Sequence, residues 1–310
     1  MPGIGVILNP YSRSNRKNPN RAEKLGFIVG DKGSCHATKD ISDVENLARE
    51  FKERQIEILG LSGGDGTYQK TLTTLINVYG DTPLPNIAFL GGGTMNNVVG
   101  YLGIRGTPET ILSQLIYRYH EDTPFKLVDC PMLKVNDIYG FLFGNGLLYR
   151  FLCDFNKVVE PTKWTAAWML FKDTCQALLH SKRGTEIARR IDADVYVDGK
   201  LWPFKNYVTL FAGTIETLGL NFRALYRTRE QPGHFQMIGF SLPPRQIVCA
   251  FPRILMGKKV DSEHFIDTLA QEVVIKTKTA EGYMLDGELY PLTTEIKVSL
   301  GVTLKVIVVD

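Results

Sequence analysis

The sequence predicts an α/β domain over residues 1–125, followed by a β-rich, mainly antiparallel domain over residues 126–310. Three observations predict it. In the first part, short apolar runs alternate with helical periodicity, the pattern that builds a parallel sheet covered by helices. From about residue 126 the texture changes to short β-type segments. Asp-Gly dipeptides at 198–199 and 286–287 lie between apolar or aromatic runs, which is a hairpin signal.

Taken in order, Gly5 to Leu8 is the first strand, and the polar stretch Ser12 to Arg21 reads as a loop behind it. Val44, Leu47, Ala48 and Phe51 recur at helical spacing, with Ser42 and Glu45 ahead of them as a capping box. Ile56 to Leu61 is the next strand. Tyr68, Leu72, Leu75, Ile76 and Tyr79 mark a second amphipathic helix. Ile87 to Leu90 is a strand, and a third helix starts at Pro108 and carries Ile111, Leu112, Leu115 and Ile116. The second part offers strands at 126–128, 133–135, 195–197, 208–211, 273–277, 296–300 and 304–309, with helices at about 162–180 and 244–256.

Composition excludes several classes. With 44% hydrophobic and 10% aromatic residues the chain has material for a large core and is not disordered. A net charge of +3 is too balanced for a dedicated nucleic-acid binder. The 5 cysteines form no C-x-x-C pair, which argues against a disulfide framework or a zinc site and for a reducing, cytoplasmic setting. The longest apolar run, Phe141 to Leu152, is broken by Asn145 and Arg150 and does not span a bilayer.

Chemistry concentrates in three segments. Gly63-Gly64-Asp65-Gly66-Thr67 joins a strand to a helix, so backbone N–H groups can approach an anion at the positive end of that helix. It is neither a Walker A loop nor a dinucleotide fingerprint. A carboxylate in such a turn suits a metal ion or a transferable proton. Gly91, Gly92, Gly93 and Thr94, with Asn96 and Asn97 behind them, repeat the pattern at the next strand end. Two such turns converge at the edge of the sheet where open α/β folds bind ligands. The third segment is Asp286-Gly287-Glu288, whose second carboxylate could accept a proton from an attacking hydroxyl.

GGDGT at 63–67, GGGTMNN at 91–97 and DGE at 286–288, in this order and spacing, resemble the diacylglycerol kinase catalytic-domain family, which includes bacterial lipid kinases, sphingosine kinases and ceramide kinases. NPYS at 9–12 is similar to the family's NPxSG element, with Arg13 in place of its Gly. The resemblance implies a NAD-kinase-like α/β domain followed by an antiparallel β-sandwich, with the active site in the cleft. It implies ATP surrounded by Asn9, Pro10, Ser12, Arg13, Thr38, Gly63, Gly64, Gly66, Thr67 and Lys70. Gly93, Thr94 and Asn96 would shape the site, and Asp65 would act with Mg²⁺. Glu288 would be the proton acceptor, and Asp129 stands where the family carries a further aspartate.

The implied activity is transfer of the γ-phosphate of ATP to a diacylglycerol-like or sphingoid lipid at a membrane surface, by a peripherally associated protein that does not bind nucleic acid. A homodimer is compatible with it. The alternatives are a small-molecule kinase of the NAD kinase type and a non-catalytic nucleotide- or lipid-binding relative. The chain departs from the family pattern at three places: Asn97 replaces a common Asp, Leu147 to Arg150 replaces GFDA, and Pro232 to Phe235 replaces the D-G-x-L of an accessory Mg²⁺ site. The helix carrying Trp164, Trp168, Met169 and Phe171 is the candidate apolar entrance for a lipid.

Overall fold

The structure is a computed structural model that describes residues 3–93, 96–158, 169, 189–217 and 222–309. The chain divides into two units, Met1–Pro131 with Val302–Asp310, and Met132–Gly301. The division at 125/126 read from the sequence does not include this return of the C-terminus. Its apolar run carries no mark of which sheet it joins, and only pairing decides that.

The first unit is a parallel sheet of β1 (Ile4–Leu8), β2 (Gly33–Ala37), β3 (Ile58–Gly63) and β4 (Asn86–Gly92), in the order β4-β3-β1-β2. The end of β15 (Glu288–Val308) lies parallel to β4, with Val306 opposite Ile87. Strands β1 and β3 are buried at every position, as expected of a parallel sheet covered on both faces. The helices are α1 (Arg13–Arg16), α2 (Arg21–Val29), α3 (Ile41–Glu53), α4 (Asp65–Tyr79), α5 (Asn97–Tyr101) and α6 (Pro108–His120). The periodic residues of α4 and α6 are buried as their spacing predicts.

The cap of α3 differs from the predicted box. Asp40 is the N-cap and accepts from the Asp43 amide at 3.0 Å, while the Ser42 hydroxyl donates to Asp40. An N-cap needs extended backbone, and Asp40 has it whereas Ser42 is already helical. The Ser12 to Arg21 stretch is also corrected, because it contains the one-turn helix α1. A single turn buries only Asn15, too little for a periodic signal.

The second unit is built on antiparallel strands. At its centre β14 (Glu272–Leu285) pairs with the first part of β15, with β7 (Leu142–Asn145) and with β8 (Ile191–Val197). Beyond β7 follow β11 (Thr209–Gly213), β12 (Phe235–Phe240) and β13 (Phe265–Ala270). The core gathers Val195, Trp202, Tyr207, Leu210, Met237, Ile275 and Val298. Two helices are described here, α7 (Leu147–Phe155) and α8 (Pro244–Leu255). Ile247, Ala250 and Ile254 of α8 are buried, and Arg245 and Arg253 are exposed, so its apolar stripe faces the core. The strands expected at 273–277, 296–300 and 304–309 are parts of β14 and β15, and the expected helix at 162–180 lies outside the described residues apart from Met169.

Candidate active site

The strand tips of the first unit bring most of the expected residues together. Asn9 follows β1, Thr38 follows β2, Gly63 ends β3, and Gly92 ends β4. The Asn9 side chain amide donates to Thr67 Oγ1 at 2.9 Å, and its Oδ1 accepts from the Tyr11 amide at 2.9 Å. Pro10 and Ser12 lie in the loop between β1 and α1, where the Ser12 amide donates to the Asn9 carbonyl at 3.3 Å. The Thr38 amide donates to the Leu8 carbonyl at 3.0 Å, so Thr38 is buried between the first two tips. Arg13 opens α1, and Lys70 is exposed on the second turn of α4. Thr94 lies outside the described residues.

The two glycine turns touch. A Cβ on Gly93 would stand 2.5 Å from the Gly64 Cα, and one on Gly64 would stand 3.1 Å from the Gly93 Cα. Any side chain at 93 would therefore force the turns apart. Asp65 secures the same junction, since its carboxylate accepts from the Asn97 amide at 3.1 Å and the Val98 amide at 3.4 Å. Asn96 adopts a left-handed conformation, φ 53°, and its Oδ1 accepts from the Gly93 amide at 2.9 Å. The resemblance implies that Asp65 acts with Mg²⁺. The structure adds that it fastens the second turn, a role invisible until the turns are adjacent.

A polar network lies under these turns. Asn15, almost fully buried, donates to the Asn9 carbonyl at 2.8 Å and the Ser62 carbonyl at 3.2 Å. Its Oδ1 accepts from Arg21 at 2.9 Å, and Arg21 pairs with Glu109 at 2.8 Å. Glu109 is pulled in opposite directions by desolvation and by the Arg21 guanidinium, and the net result is a carboxyl below its ordinary value. Neither Asn15 nor Arg21 was singled out from the sequence for this role. The spacing between Asn9 and Asn15 is not a signal until α1 turns the chain back.

The geometry suits an anion. No side chain caps α4, so its first-turn amides are directed at the space above the turns. The Ser12 hydroxyl is buried without a hydrogen-bond partner among the described residues, a donor still to be matched. Closely approached glycines leave room that a Cβ would fill. A triphosphate fits this set of donors. For Mg²⁺ the acid at hand is Asp65, and this ion commonly takes one or two carboxylates and completes its shell with phosphate oxygens and water. A groove of about 1310 Å³ lies at the other ends of α3 and α4, beside Lys52, Tyr79 and Asn86, away from the glycine turns.

Asp129 is exposed on β5 (Lys126–Val135) and forms an ion pair with Lys305 at 2.6 Å. In the second unit, Asp286-Gly287 forms the turn between β14 and β15, and Glu288 is half-buried at the first position of β15. The buried Asp286 carboxylate accepts from the Phe141 and Leu142 amides at 2.9 Å each, which fixes the turn. Arg150 lies on α7 and donates to the Arg189 carbonyl at 2.5 Å, and Arg189 pairs with the buried Glu281 at 2.9 Å.

Gly233 is a left-handed turn residue, and the neighbouring Arg227 pairs with Glu230 at 2.9 Å and Asp267 at 3.4 Å. Among the described residues no cluster of three His, Cys, Asp or Glu could hold a metal ion. Four cysteines, at 35, 130, 153 and 249, are free thiols. No described helix is long and apolar enough to cross a membrane.

The fold is a NAD-kinase-like α/β unit followed by antiparallel strands. Residues 3–128 match the family model of the diacylglycerol kinase catalytic domain, the family that the motifs resemble. It is 26% identical over 296 residues to a diacylglycerol kinase of Bacillus subtilis (strain 168), covering 91% of this chain and 88% of that protein. Two solved structures from Bacillus anthracis str. Sterne share the fold. One, a diacylglycerol kinase, has a TM-score of 0.68 at 14% identity, and a candidate diacylglycerol kinase has 0.75 at 16% identity. Each covers 99% of this chain and 97% of its own.

Proposed function

We propose that this chain is an ATP-dependent kinase that transfers the γ-phosphoryl group of ATP to the hydroxyl of a diacylglycerol-like or sphingoid lipid. The observation that carries this reading is the contact of Gly64 with Gly93 beside an uncapped α4 and an unmatched Ser12 hydroxyl. These groups offer several N–H and O–H donors to one anion without a blocking side chain. The first-turn amides of α4, with Ser12 and Arg13, hold the phosphates, and Thr38, Thr67 and Lys70 border the nucleotide. Asp65 would hold Mg²⁺, which when bound neutralises phosphate charge.

In the transfer, the lipid hydroxyl oxygen forms the new bond to the γ-phosphorus as the bond to the bridging oxygen breaks and ADP leaves. Glu288 takes the hydroxyl proton. Asp129, already paired with Lys305, is assigned no proton transfer. The lipid is met at a membrane surface, so association with the bilayer is peripheral and transient.

The test incubates the full chain with labelled ATP, Mg²⁺ and mixed micelles of diacylglycerol, ceramide or sphingosine, with NAD as a soluble control. Phosphorylated lipid that disappears in Gly93→Ala is the expected result. Label on NAD alone, or none on any lipid, overturns the reading.

A further inference from the structure

We infer that Tyr68 is a positioning residue that sets the second glycine turn for nucleotide binding, an inference that rests on the kinase reading above. Strands β3 and β4 run in register as far as Leu61 opposite Phe89, then slip so that Ser62 faces Gly91. The slip gives β4 one extra residue, Leu90, and a bulge of this kind removes a backbone amide from the ladder. Gly91 takes φ 81° at that point, and its amide donates to the Tyr68 hydroxyl at 3.0 Å. The Gly91 carbonyl accepts from Ser62 Oγ at 3.3 Å. Side chains from β3 and α4 thus hold Gly91 through both its amide and its carbonyl.

The next two residues are Gly92, at φ 130°, and Gly93, which meets Gly64. The orientation of Gly91 therefore decides whether the turns can meet. Tyr68 is fully buried, with its ring 4.7 Å from that of Phe89, so the hydroxyl is fixed by packing. Burial, with the Asp65 charge nearby, pushes the phenol far above its ordinary value, and it stays protonated at any working pH. Packing against the sheet requires only an apolar side chain at 68. The hydroxyl is accounted for by the amide that the bulge exposes. Asp65 and Tyr68 are three residues apart and share one face of α4, so they hold the second turn at its end and its beginning.

The experiment uses Tyr68→Phe in the full chain, which keeps the ring and removes the hydroxyl. Three readouts are taken: MgATP binding by calorimetry without lipid, steady-state kinetics with lipid, and amide hydrogen exchange of the segment around Gly91. The expected result is faster exchange confined to that segment and MgATP affinity weaker by about tenfold, or ~1.4 kcal/mol. KM for ATP should rise with kcat and the lipid KM little changed. Ser62→Ala, which removes the bond to the Gly91 carbonyl, should act in the same direction and serves if the first variant fails to fold. Unchanged exchange in a folded variant overturns the inference, as does an equal fall in kcat for every substrate alongside general destabilisation. Wild-type protein that binds no MgATP overturns the kinase reading, while the exchange result still decides whether Tyr68 holds Gly91.

Discussion

The second unit contains the same turn twice. Asp198-Gly199 and Asp286-Gly287 each link antiparallel strands, with φ of 47° and 77° in one and 50° and 85° in the other. Positive φ at both central residues is the two-residue hairpin whose twist matches its strands. Each aspartate also accepts two backbone amides from a neighbouring segment, Gln271 and Glu272 for Asp198, and Phe141 and Leu142 for Asp286. They differ in burial, since Asp198 is exposed and Asp286 is buried. Equivalent positions after the turns hold Lys200, opposite Val197, and Glu288, opposite Leu285. The lesson is that a turn motif fixes local backbone shape, whereas burial decides how firmly the residue after it is held.

The largest contrast concerns those following residues. Glu288→Gln should lower lipid phosphorylation roughly 10²–10⁴-fold, the range for loss of a general base, with the urea midpoint unchanged. Lys200→Gln should leave both unchanged, and a loss of activity in it would remove the distinction between the hairpins.

The aspartates come next. Asp286→Ala strands two amides away from water and should cost about 3 kcal/mol in urea unfolding. Asp198→Ala exposes its two amides to solvent, which replaces the bonds, and should cost no more than about 1 kcal/mol. Equal losses would show that burial is not what separates the turns.

The smallest effect is the most symmetric. Gly287→Ala and Gly199→Ala each place a Cβ at positive φ, and nothing lies within 4 Å of either. Both should lose about 1 kcal/mol by the same backbone strain. A markedly larger loss at 287 would point to crowding there.

Much of this fold was legible in the sequence. The helices α4 and α6 and both hairpins follow from short-range spacing and turn chemistry, which act within a few residues. β2 was missed because GSCHA at 33–37 has no large apolar or β-branched residue, and it is a strand because β1 offers it a partner. The capping box at Ser42 was misplaced by two residues, since several polar residues in KDISD can cap and only the backbone conformation of Asp40 selects among them. The glycines, Asp65 and Glu288 were named from motif alone. Asn15, Arg21 and the hydroxyl of Tyr68 were not, because their partners Ser62, Glu109 and Gly91 lie far away in the sequence.

The sequence alone determined β1, β3, β4, α3, α4 and α6 of the first unit, the two glycine turns and the family they resemble. These depend on local conformational preference, which each residue carries with it. Tertiary structure decided that the C-terminal strand returns to the first unit, that Gly93 lies against Gly64, and that Asp65 and Tyr68 fasten one turn to the other. Those are contacts between residues brought together by folding, and a buried amide acquires a partner only when the sheet has fixed where it points.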